Sequence, residues 1–411
     1  MRILLLFHHF RGLHERGGLR SRQIATYLAR AGHRVTVVVP GIDPLTERRD
    51  PSLKGRLFAR VRDDGVEVIR VNSFSNRRAS KLSRACYFVS SSAMQFFRAL
   101  TLGRPDVIVC TSIPPTQMIL SYLLSRIRRV PLLIDVRDLA LDYAIGLGYL
   151  RKNLPVRIAM SIERYVLRRA ECVATISEGI RNMILAKGAD RRRVHFIPIG
   201  YASELYDEGI DWSRDVREEY GFDDSFLAVY AGTMSNLVDV RTLLDAAKYT
   251  RGRPDITWVF AGAGEKLEEY RKYASEHRLN CIFTGEVPKS DVVLISKEAG
   301  VCLYALGGHP LFGTFLGNKV FDYLGAGAPM IFCGPDGDIS NIVKESKAGW
   351  CLPPGDSKGM AKLVVSLADS GGGSDYGKRG RQFIYERFSS SGSVMKIGRL
   401  ITALNDNRYG A

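Results

Sequence analysis

Short apolar runs alternate with helical segments along the whole chain, and this alternation limits the fold more than any other feature. The runs are rich in Val, Ile and Leu and are too short to form separate helices. In the first half they cover residues 3–7, 34–39, 66–71, 106–111, 131–136 and 172–176. Continuous apolar strands with helices between them predict a parallel sheet that is covered on both faces.

The same alternation restarts after residue 200. Predicted strands cover residues 225–231, 256–261, 279–284, 301–304 and 330–333, each followed by a helix. Between the two sets lies Ile197-Pro-Ile-Gly200, whose proline and glycine interrupt the pattern. We therefore predict an α/β protein with two Rossmann-like, doubly wound parallel-sheet domains, residues 1–198 and 199–390. We expect a C-terminal helix in residues 391–411 to complete the first domain.

Charge is divided unequally between the two halves of the chain. Residues 1–200 contain 35 Lys and Arg against 15 Asp and Glu, whereas residues 201–411 contain 24 against 28. A basic first half indicates an anionic partner, either nucleic acid or an acidic membrane surface. Solvated arginines without a specific partner are the alternative explanation.

Targeting patterns and cysteines indicate the compartment. The apolar start of the chain is too short for a signal peptide, and no apolar run is long enough to span a bilayer. The seven cysteines form no C-x-x-C pair, and most lie in apolar runs, as expected in a reducing compartment. We expect a cytoplasmic protein that is peripheral on the inner face of the cytoplasmic membrane.

The loop after the first strand carries a glycine pair. Gly17 and Gly18 open a helix, with His14 before them and Arg20 and Arg22 after them. Ligands of open α/β sheets bind at the carboxyl ends of strands, and a helix N-terminus favours an anion. This loop is either a diphosphate or acceptor site, or only a polar turn.

A second glycine turn, Gly262-Ala-Gly264, follows the strand at 256–261. Leu267 stands at the third glycine position of the dinucleotide pattern G-x-G-x-x-G. An NAD-dependent oxidoreductase is therefore disfavoured, and a tight turn suffices to explain both glycines.

Residues 313–331 combine a loop, a short helix, a glycine stop and a strand. Lys319 and Asp322 are at i and i+3 and share one helical face. They could both point into a cleft, the lysine to a phosphate and the aspartate to a ribose diol. The spacing alone favours the other interpretation, an exposed ion pair.

Four motifs resemble those of the family 4 glycosyltransferases of GT-B fold, in order and along nearly the full chain. They are Gly17-Gly18 with Leu28-Ala-Arg-Ala-Gly-His33-Arg-Val-Thr-Val37 after it, Ile197-Pro-Ile-Gly200, Phe260-Ala-Gly-Ala-Gly264, and Asn318-Lys-Val-Phe-Asp-Tyr-Leu-Gly-Ala-Gly-Ala-Pro-Met330. The stretch from Val130 to Leu139 is most similar to the branch that makes O-antigen, capsule and exopolysaccharide sugars. The resemblance implies two Rossmann-like domains that face each other across a cleft.

The resemblance also implies the reaction. A sugar would pass from a nucleotide-diphosphate donor, with UDP the expected nucleotide, with retention at the anomeric carbon and without a cofactor or required metal. The second domain would hold most of the donor, with Asp322 on the ribose, Gly232 under the diphosphate and backbone near Gly285 on the base. The residues implied for donor binding are Gly17, Gly18, Gly232, Thr233, Gly285, Val287, Thr314, Asn318, Lys319 and Asp322.

The chain departs from the family pattern at two places. The first acid of the family's E-x7-E motif would fall at Thr314, and the loop after Gly232 has no basic residue where relatives usually have one. A diphosphate leaving group needs positive partners for its developing charge. Lys319, helix N-termini and Arg20 or Arg22 would have to supply them.

Arg137 and Asp138 lie where relatives carry a His-Asp pair near the reacting sugar, and they are the catalytic residues that the resemblance implies. Without a convincing nucleophile, the expected mechanism is front-face substitution, in which the leaving phosphate oxygen takes the acceptor proton. Asp138 would orient the acceptor hydroxyl or the donor sugar, or else it caps a helix. The expected acceptor-side residues are His14, Arg20 and Arg22, although His14 could be structural.

Two helical segments of the basic half, residues 77–98 and 154–169, combine apolar residues with flanking arginines. They suit the headgroup boundary of an anionic leaflet, or their apolar faces simply pack on the sheet. We expect a lipid-linked saccharide as the acceptor and no nucleic-acid partner. The alternatives left open are a nucleotide-sugar epimerase of similar shape and a nucleic-acid-binding protein that uses the basic half.

Overall fold

The computed structural model describes residues 1–11, 19–42, 48–73, 80–207 and 209–406. The chain forms two compact units. The first contains Met1–Pro198 and the chain from Ser391 onward, and the second contains Ile199–Ser390. Each unit is built on one predominantly parallel sheet, so the predicted α/β class with two doubly wound domains is confirmed.

The sheet of the first unit has eight strands within the described residues, in the order β3-β4-β2-β1-β5-β6-β7-β8. The strands are β1 (Arg2–Leu6), β2 (Arg34–Pro40), β3 (Phe58–Asp63), β4 (Val66–Val71), β5 (Val107–Thr111), β6 (Leu132–Val136), β7 (Cys172–Thr175) and β8 (Val194–Phe196). The helices are α1 (Leu19–Arg30), α2 (Lys81–Leu100), α3 (Pro115–Arg128), α4 (Ala140–Gly146), α5 (Leu154–Arg169) and α6 (Glu178–Ala186).

Strand β3 is absent from the sequence prediction and is the antiparallel member of this sheet. It forms a hairpin with β4 over Asp64 and Gly65, whose φ angles are +48° and +77°. Two positive φ angles at an Asp-Gly pair are typical of the two-residue hairpin turn. Ala59 is the buried residue of β3, so the strand has no apolar run for a sequence pattern to detect.

The second unit has a six-stranded parallel sheet within its described residues, in the order β11-β10-β9-β12-β13-β14. The strands are β9 (Phe226–Ala231), β10 (Ile256–Ala261), β11 (Cys281–Gly285), β12 (Val301–Ala305), β13 (Met330–Cys333) and β14 (Gly349–Leu352). Strand order reverses between β9 and β12, and in open α/β sheets ligands bind at the carboxyl ends of the strands beside such a reversal.

Nine helices surround this second sheet within the described residues. They are α7 (Ser203–Tyr206), α8 (Val216–Tyr220), α9 (Val240–Tyr249), α10 (Leu267–Glu276), α11 (Lys289–Glu298), α12 (Asn318–Gly325), α13 (Asp338–Ser346), α14 (Ser357–Asp369) and α15 (Ser374–Arg387).

The last helix, α16 (Ser390–Asn405), packs on the first unit. Its residues Val394, Ile397, Ile401 and Leu404 are buried in the same core as the apolar side chains of β1 and β2. Their spacing of three and four positions places them on one face of the helix. Burial of this apolar stripe holds the end of the chain on the first sheet.

Candidate active site

The loop after β9 begins at Gly232, which lies under the side chain of Lys319. Gly232 has a φ angle of +154°, and a Cβ atom at this position would lie 1.9 Å from Lys319 Cε. A side chain at Gly232 would therefore displace Lys319. Glycine is favoured here by its positive φ angle and by the close approach of the Lys319 side chain from α12.

The glycine turn after β10 packs against the same loop through the backbone. A Cβ atom on Gly262 would lie 2.1 Å from the carbonyl oxygen of Gly232, and one on Gly264 would lie 2.1 Å from that of Met234. The amide of Met234 donates to the carbonyl of Ala263 at 3.0 Å. These glycines allow two loops to touch, which explains them without a dinucleotide.

Lys319 is the second residue of α12, and its ammonium group lies near two aromatic rings. Nζ is 5.6 Å from the centre of the Tyr230 ring and 5.2 Å from the centre of the Tyr304 ring. Burial lowers the pKa of Lys319 to about 8, the charge of Lys289 also lowers it, and Asp322 opposes both. A half-buried cation that has lost part of its hydration is well suited to an anionic ligand.

Asp322 is buried and forms an ion pair with Lys289, the first residue of α11. The prediction of an exposed ion pair between Lys319 and Asp322 is therefore wrong. A spacing of three residues allows an ion pair on a helix but does not enforce one. Here Asp322 pairs with the ammonium group of Lys289 on α11 instead. Lys289 itself is absent from the predicted site.

Tyr323 ties α12 to the end of β9. Its hydroxyl accepts a hydrogen bond from the amide of Ala231 at 2.7 Å and donates one to the carbonyl of the same residue at 2.9 Å. Burial raises the pKa of the Tyr323 hydroxyl well above its usual range. This neutral side chain therefore fixes the helix that carries Lys319 and Asp322 relative to the loop that begins at Gly232.

Two of the predicted donor residues lie at the end of β11. Gly285 is the last residue of the strand and has a φ angle of +74°, and Val287 is buried. Both precede Lys289 in the connection to α11. The structure thus brings the residues expected to hold the base next to the lysine that pairs with Asp322.

The other predicted donor residues lie in the loops after β9 and β12. Thr233 is exposed, and its carbonyl accepts a hydrogen bond from the Tyr230 hydroxyl at 2.7 Å. The hydroxyl of Thr314 donates to the carbonyl of Leu311 at 2.8 Å within a 3₁₀ turn. Asn318 is exposed at the first position of α12.

In the first unit, Asp138 follows β6 and lies before α4. The hydroxyl of Ser112 donates to its backbone carbonyl at 3.0 Å, whereas within the described residues its carboxylate has no hydrogen-bond partner. Burial raises the pKa of the Asp138 carboxyl to about 7, and the charge of Arg137 opposes this shift. Leu139 occupies the N-cap position of α4, so the interpretation of Asp138 as a helix cap is wrong.

A buried ion cluster lies immediately before Asp138. Asp135 is fully buried and accepts hydrogen bonds from Arg20 at 2.9 Å and from Arg137 at 3.0 Å. Burial by itself would raise the pKa of Asp135, but the two guanidinium groups outweigh it and hold the pKa below its usual value. Arg137 also donates to Ser21 at 2.9 Å, which ties the loop to α1.

Arg20 is a structural residue, which corrects its expected place on the acceptor side. It is buried, and besides Asp135 its guanidinium donates to the carbonyls of Pro198 at 2.8 Å and Ile197 at 3.0 Å. Its donors are thus directed to protein acceptors inside the first unit.

Arg22 is also buried and is paired with Asp63 and Asp64 on the β3–β4 hairpin. The hydrogen bond that Arg22 donates to the Asp63 carboxylate raises the pKa of Arg22. The remaining predicted residues of this loop, His14, Gly17 and Gly18, lie outside the described residues.

Metal-ligand clusters and membrane-spanning helices are both absent from the described residues. No group of three or more His, Cys, Asp or Glu side chains in them could hold a metal ion. None of their helices is long and apolar enough to cross a membrane.

Comparison with known families agrees with this architecture. Residues 17–200 match a family profile described as "Glycosyl transferase 4-like domain", and residues 225–370 match one described as "Glycosyl transferases group 1". The chain belongs to the family 4 glycosyltransferases. Together the two matches cover most residues of both units of this glycosyltransferase.

Several curated proteins are similar to this glycosyltransferase. Alpha-D-kanosaminyltransferase of Streptomyces kanamyceticus is 24% identical over an aligned region that covers 60% of this chain and 64% of that relative's own length. The putative colanic acid biosynthesis glycosyl transferase WcaI of Escherichia coli is 21% identical over 75% of the chain and 77% of its own length. The probable glycosyltransferase WbjE of Pseudomonas aeruginosa is 20% identical over 82% of the chain and 79% of its own length.

Solved structures share the fold at low identity. Anabaena HepE, determined in complex with UDP, matches with a TM-score of 0.72 at 16% identity, over 98% of this chain and 100% of its own. Sucrose-phosphate synthase of Thermosynechococcus elongatus matches with a TM-score of 0.73 at 18% identity, over 98% of each chain. These likenesses confirm the GT-B type fold of the glycosyltransferase.

Three residues of this glycosyltransferase that define the local geometry are absent from the sequence prediction: Asp135, Lys289 and Tyr323. Lys289 and Asp135 do carry a signal, since each lies at the carboxyl end of a predicted strand or in the turn after one. Tyr323 carries none, because a tyrosine in an apolar helical stretch is usually part of the core. The role of Tyr323 depends on its hydrogen bonds to the backbone of Ala231, which lies in a distant part of the chain.

Proposed function

We propose that this glycosyltransferase moves a sugar from a UDP-sugar to a lipid-diphosphate-linked saccharide, in the making of a bacterial surface polysaccharide. The proposed donor site rests on one observation. The Lys319 ammonium lies close to the loop that begins at Gly232, at the point where strand order reverses. A diphosphate on the loop backbone would meet this charge, which is the positive partner that its leaving group needs. Anabaena HepE, on the same fold, is a UDP complex.

The nucleoside half of the proposed donor site lies around Asp322. A carboxylate can accept hydrogen bonds from both hydroxyls of a ribose diol, and the buried Asp322 is held in one position by Lys289. The connection that carries Gly285 and Val287 leads directly to Lys289, so base, ribose and phosphate would contact the segments that follow β11, β12 and β9. Thr314 replaces the first acid of the family motif, but the proposed contacts to base, ribose and diphosphate do not use that acid.

The proposed reaction retains the anomeric configuration without a required metal. The acceptor hydroxyl oxygen forms the new bond to the anomeric carbon while the bond from that carbon to the phosphate oxygen breaks. UDP leaves, and its phosphate oxygen takes the proton of the hydroxyl on the same face. Asp138 orients the hydroxyl through its carboxylate, which has no protein partner within the described residues. Lys319 balances the negative charge that develops on the diphosphate.

Attachment to an anionic membrane is proposed from the exposed side chains of α2 and α5. Leu82, Val89 and Phe97 on α2 and Leu154, Ile158 and Tyr165 on α5 are exposed, with Leu154 at 69%. Arginines lie next to this apolar surface on α5, among them Arg157 and Arg169. Because these apolar side chains do not pack on the sheet, they can enter the headgroup boundary while the arginines contact acidic lipids.

The donor proposal is tested by thermal unfolding of the full chain with UDP, GDP, dTDP or CMP. A ligand that binds the folded state raises the midpoint, and we expect the largest rise with UDP. Lys319→Gln should abolish the rise, whereas Lys362→Gln, at an exposed lysine of α14, should leave it unchanged. No rise with any nucleotide would contradict the donor proposal. Production of an epimer without free UDP would instead identify an epimerase.

The membrane proposal is tested by sedimentation with vesicles of phosphatidylglycerol at low salt. We expect the chain to sediment, and the double variant Leu154→Gln/Ile158→Gln to stay in solution. Tyr249→Gln is the control, because Tyr249 is an exposed aromatic residue of the second unit. Failure of the wild-type chain to sediment would overturn this part of the proposal and leave the donor site unaffected.

A further inference from the structure

A cavity of about 440 Å³ in the first unit has five arginines among the sixteen described residues that line it. It opens beside the carboxyl ends of β1 and β2, where Phe10, Pro40 and Gly41 line it. Two acidic residues, Asp50 and Asp63, also line it. The arginines in its wall are Arg11, Arg22, Arg48, Arg49 and Arg70.

Two of these arginines have acidic partners that hold them in the wall. Arg22 is paired with Asp63 and Asp64, and Arg70 with Asp50. The Arg22 side chain is only 9% exposed, and its guanidinium carbon lies 5.2 Å from the centre of the Phe10 ring. The wall is therefore ordered by internal ion pairs.

The positive charge of the cavity exceeds what these pairs neutralise. Arg48 and Arg49 are exposed, and Arg49 forms no ion pair within the described parts of the chain. Guanidinium groups offer two parallel donors that match the oxygens of a phosphate or a carboxylate. A cavity of this size and charge is suited to an oxyanion together with part of the group that carries it.

We propose that this arginine cavity binds an oxyanion of the acceptor, either the diphosphate of its lipid or the carboxylate of an acidic sugar. The inference rests on the proposed function, since it names the part of the acceptor that the first unit recognises. The location of the cavity supports this proposal, because ligands of open α/β sheets bind at the carboxyl ends of the strands. Donor and acceptor anions would then have separate cations, Lys319 in one unit and the cavity arginines in the other.

The experiment measures binding of geranyl diphosphate and of glucuronate to the full chain by titration calorimetry, with saturating UDP so that the donor site is filled. Three variants are compared with the wild type: Arg49→Gln, Arg48→Gln/Arg49→Gln and the control Arg62→Gln. Arg62 is an exposed arginine of β3 that does not line the cavity. All changed residues are on the surface, and unfolding midpoints without ligand verify that each variant folds.

We expect at least one probe to bind with an affinity that falls as salt rises. The dissociation constant should increase about tenfold or more in the double variant, less in Arg49→Gln, and stay unchanged in Arg62→Gln. Binding of geranyl diphosphate assigns the lipid diphosphate, and binding of glucuronate assigns an acidic sugar. Absence of binding by both probes, or equal affinities in all variants, would overturn the inference. Loss of the UDP midpoint shift in the wild type would contradict the donor proposal alone.

Discussion

Lys319 Cε occupies the space that a side chain on Gly232 would need, 1.9 Å from the position of a Cβ atom there. Gly232 lies in the loop after β9, and Lys319 lies in the first turn of α12, the helix that follows β12. The resemblance implies a basic residue in the loop after this glycine, and this chain has none there. Here the charge reaches the same loop from α12.

Replacement of Gly232 by alanine should weaken UDP binding about tenfold or more, because the new methyl group displaces Lys319 from the loop. The measurement is titration calorimetry with UDP. Gly252→Ala is the matched control, since a Cβ atom at Gly252 meets nothing within 4 Å. Equal UDP affinities in the two variants would show that the Lys319 position does not matter for the donor.

Lys319→Gln should lower kcat by a factor of about 10² to 10³, the usual cost of removing one group that stabilises developing charge. Because the pKa of Lys319 is lowered to about 8, the ammonium form is lost as pH rises through 8. Wild-type turnover should therefore fall above this pH, and Lys319→Arg should keep its turnover there. A falling limb near pH 8 that persists in Lys319→Gln would assign it to another group.

Asp138→Asn should remove the rising limb of the activity profile. Burial raises the pKa of Asp138 to about 7, so the carboxylate that orients the acceptor forms as pH rises through 7, and turnover should rise with it.

The raised pKa of Asp138 also predicts a pH dependence of stability. The folded state binds the Asp138 proton more tightly than the unfolded chain does, so the free energy of unfolding falls as pH rises from about 4 to 7. Urea unfolding should show a smaller fall over this range in Asp138→Asn, and an unchanged pH slope would contradict the buried position.

Asp135→Ala should destabilise the first unit by about 3–5 kcal/mol, because it leaves the guanidinium groups of Arg20 and Arg137 buried without their shared partner. Chemical denaturation measures the loss. Asp190→Ala is the control, since Asp190 pairs with Arg192 at the surface, where screening by solvent makes such pairs contribute little. Similar losses in both variants would show that the buried cluster contributes no more than a surface pair.

Several elements of the fold were predictable because their residues carry a pattern of their own. Strands β1, β5 and β10 are apolar throughout or nearly so, since both faces of a parallel sheet are covered. The pattern failed at β3, where Ala59 is the buried residue, and such a strand is visible only through the Asp64-Gly65 turn. The helical segments predicted at residues 77–98 and 154–169 correspond to α2, which begins at Lys81, and to α5.

The sequence by itself determined the α/β class, the tandem arrangement of two units and the family, because hydrophobic periodicity and contiguous motifs are local properties of a chain. Only the tertiary structure decided which charges meet. Spacing on one helix paired Asp322 with Lys319, whereas packing of α12 on α11 pairs it with Lys289. Likewise Arg20, expected near the acceptor, is buried on Asp135. An ion pair depends on distances between separate segments and on the water removed from around them, and neither is encoded in residue spacing.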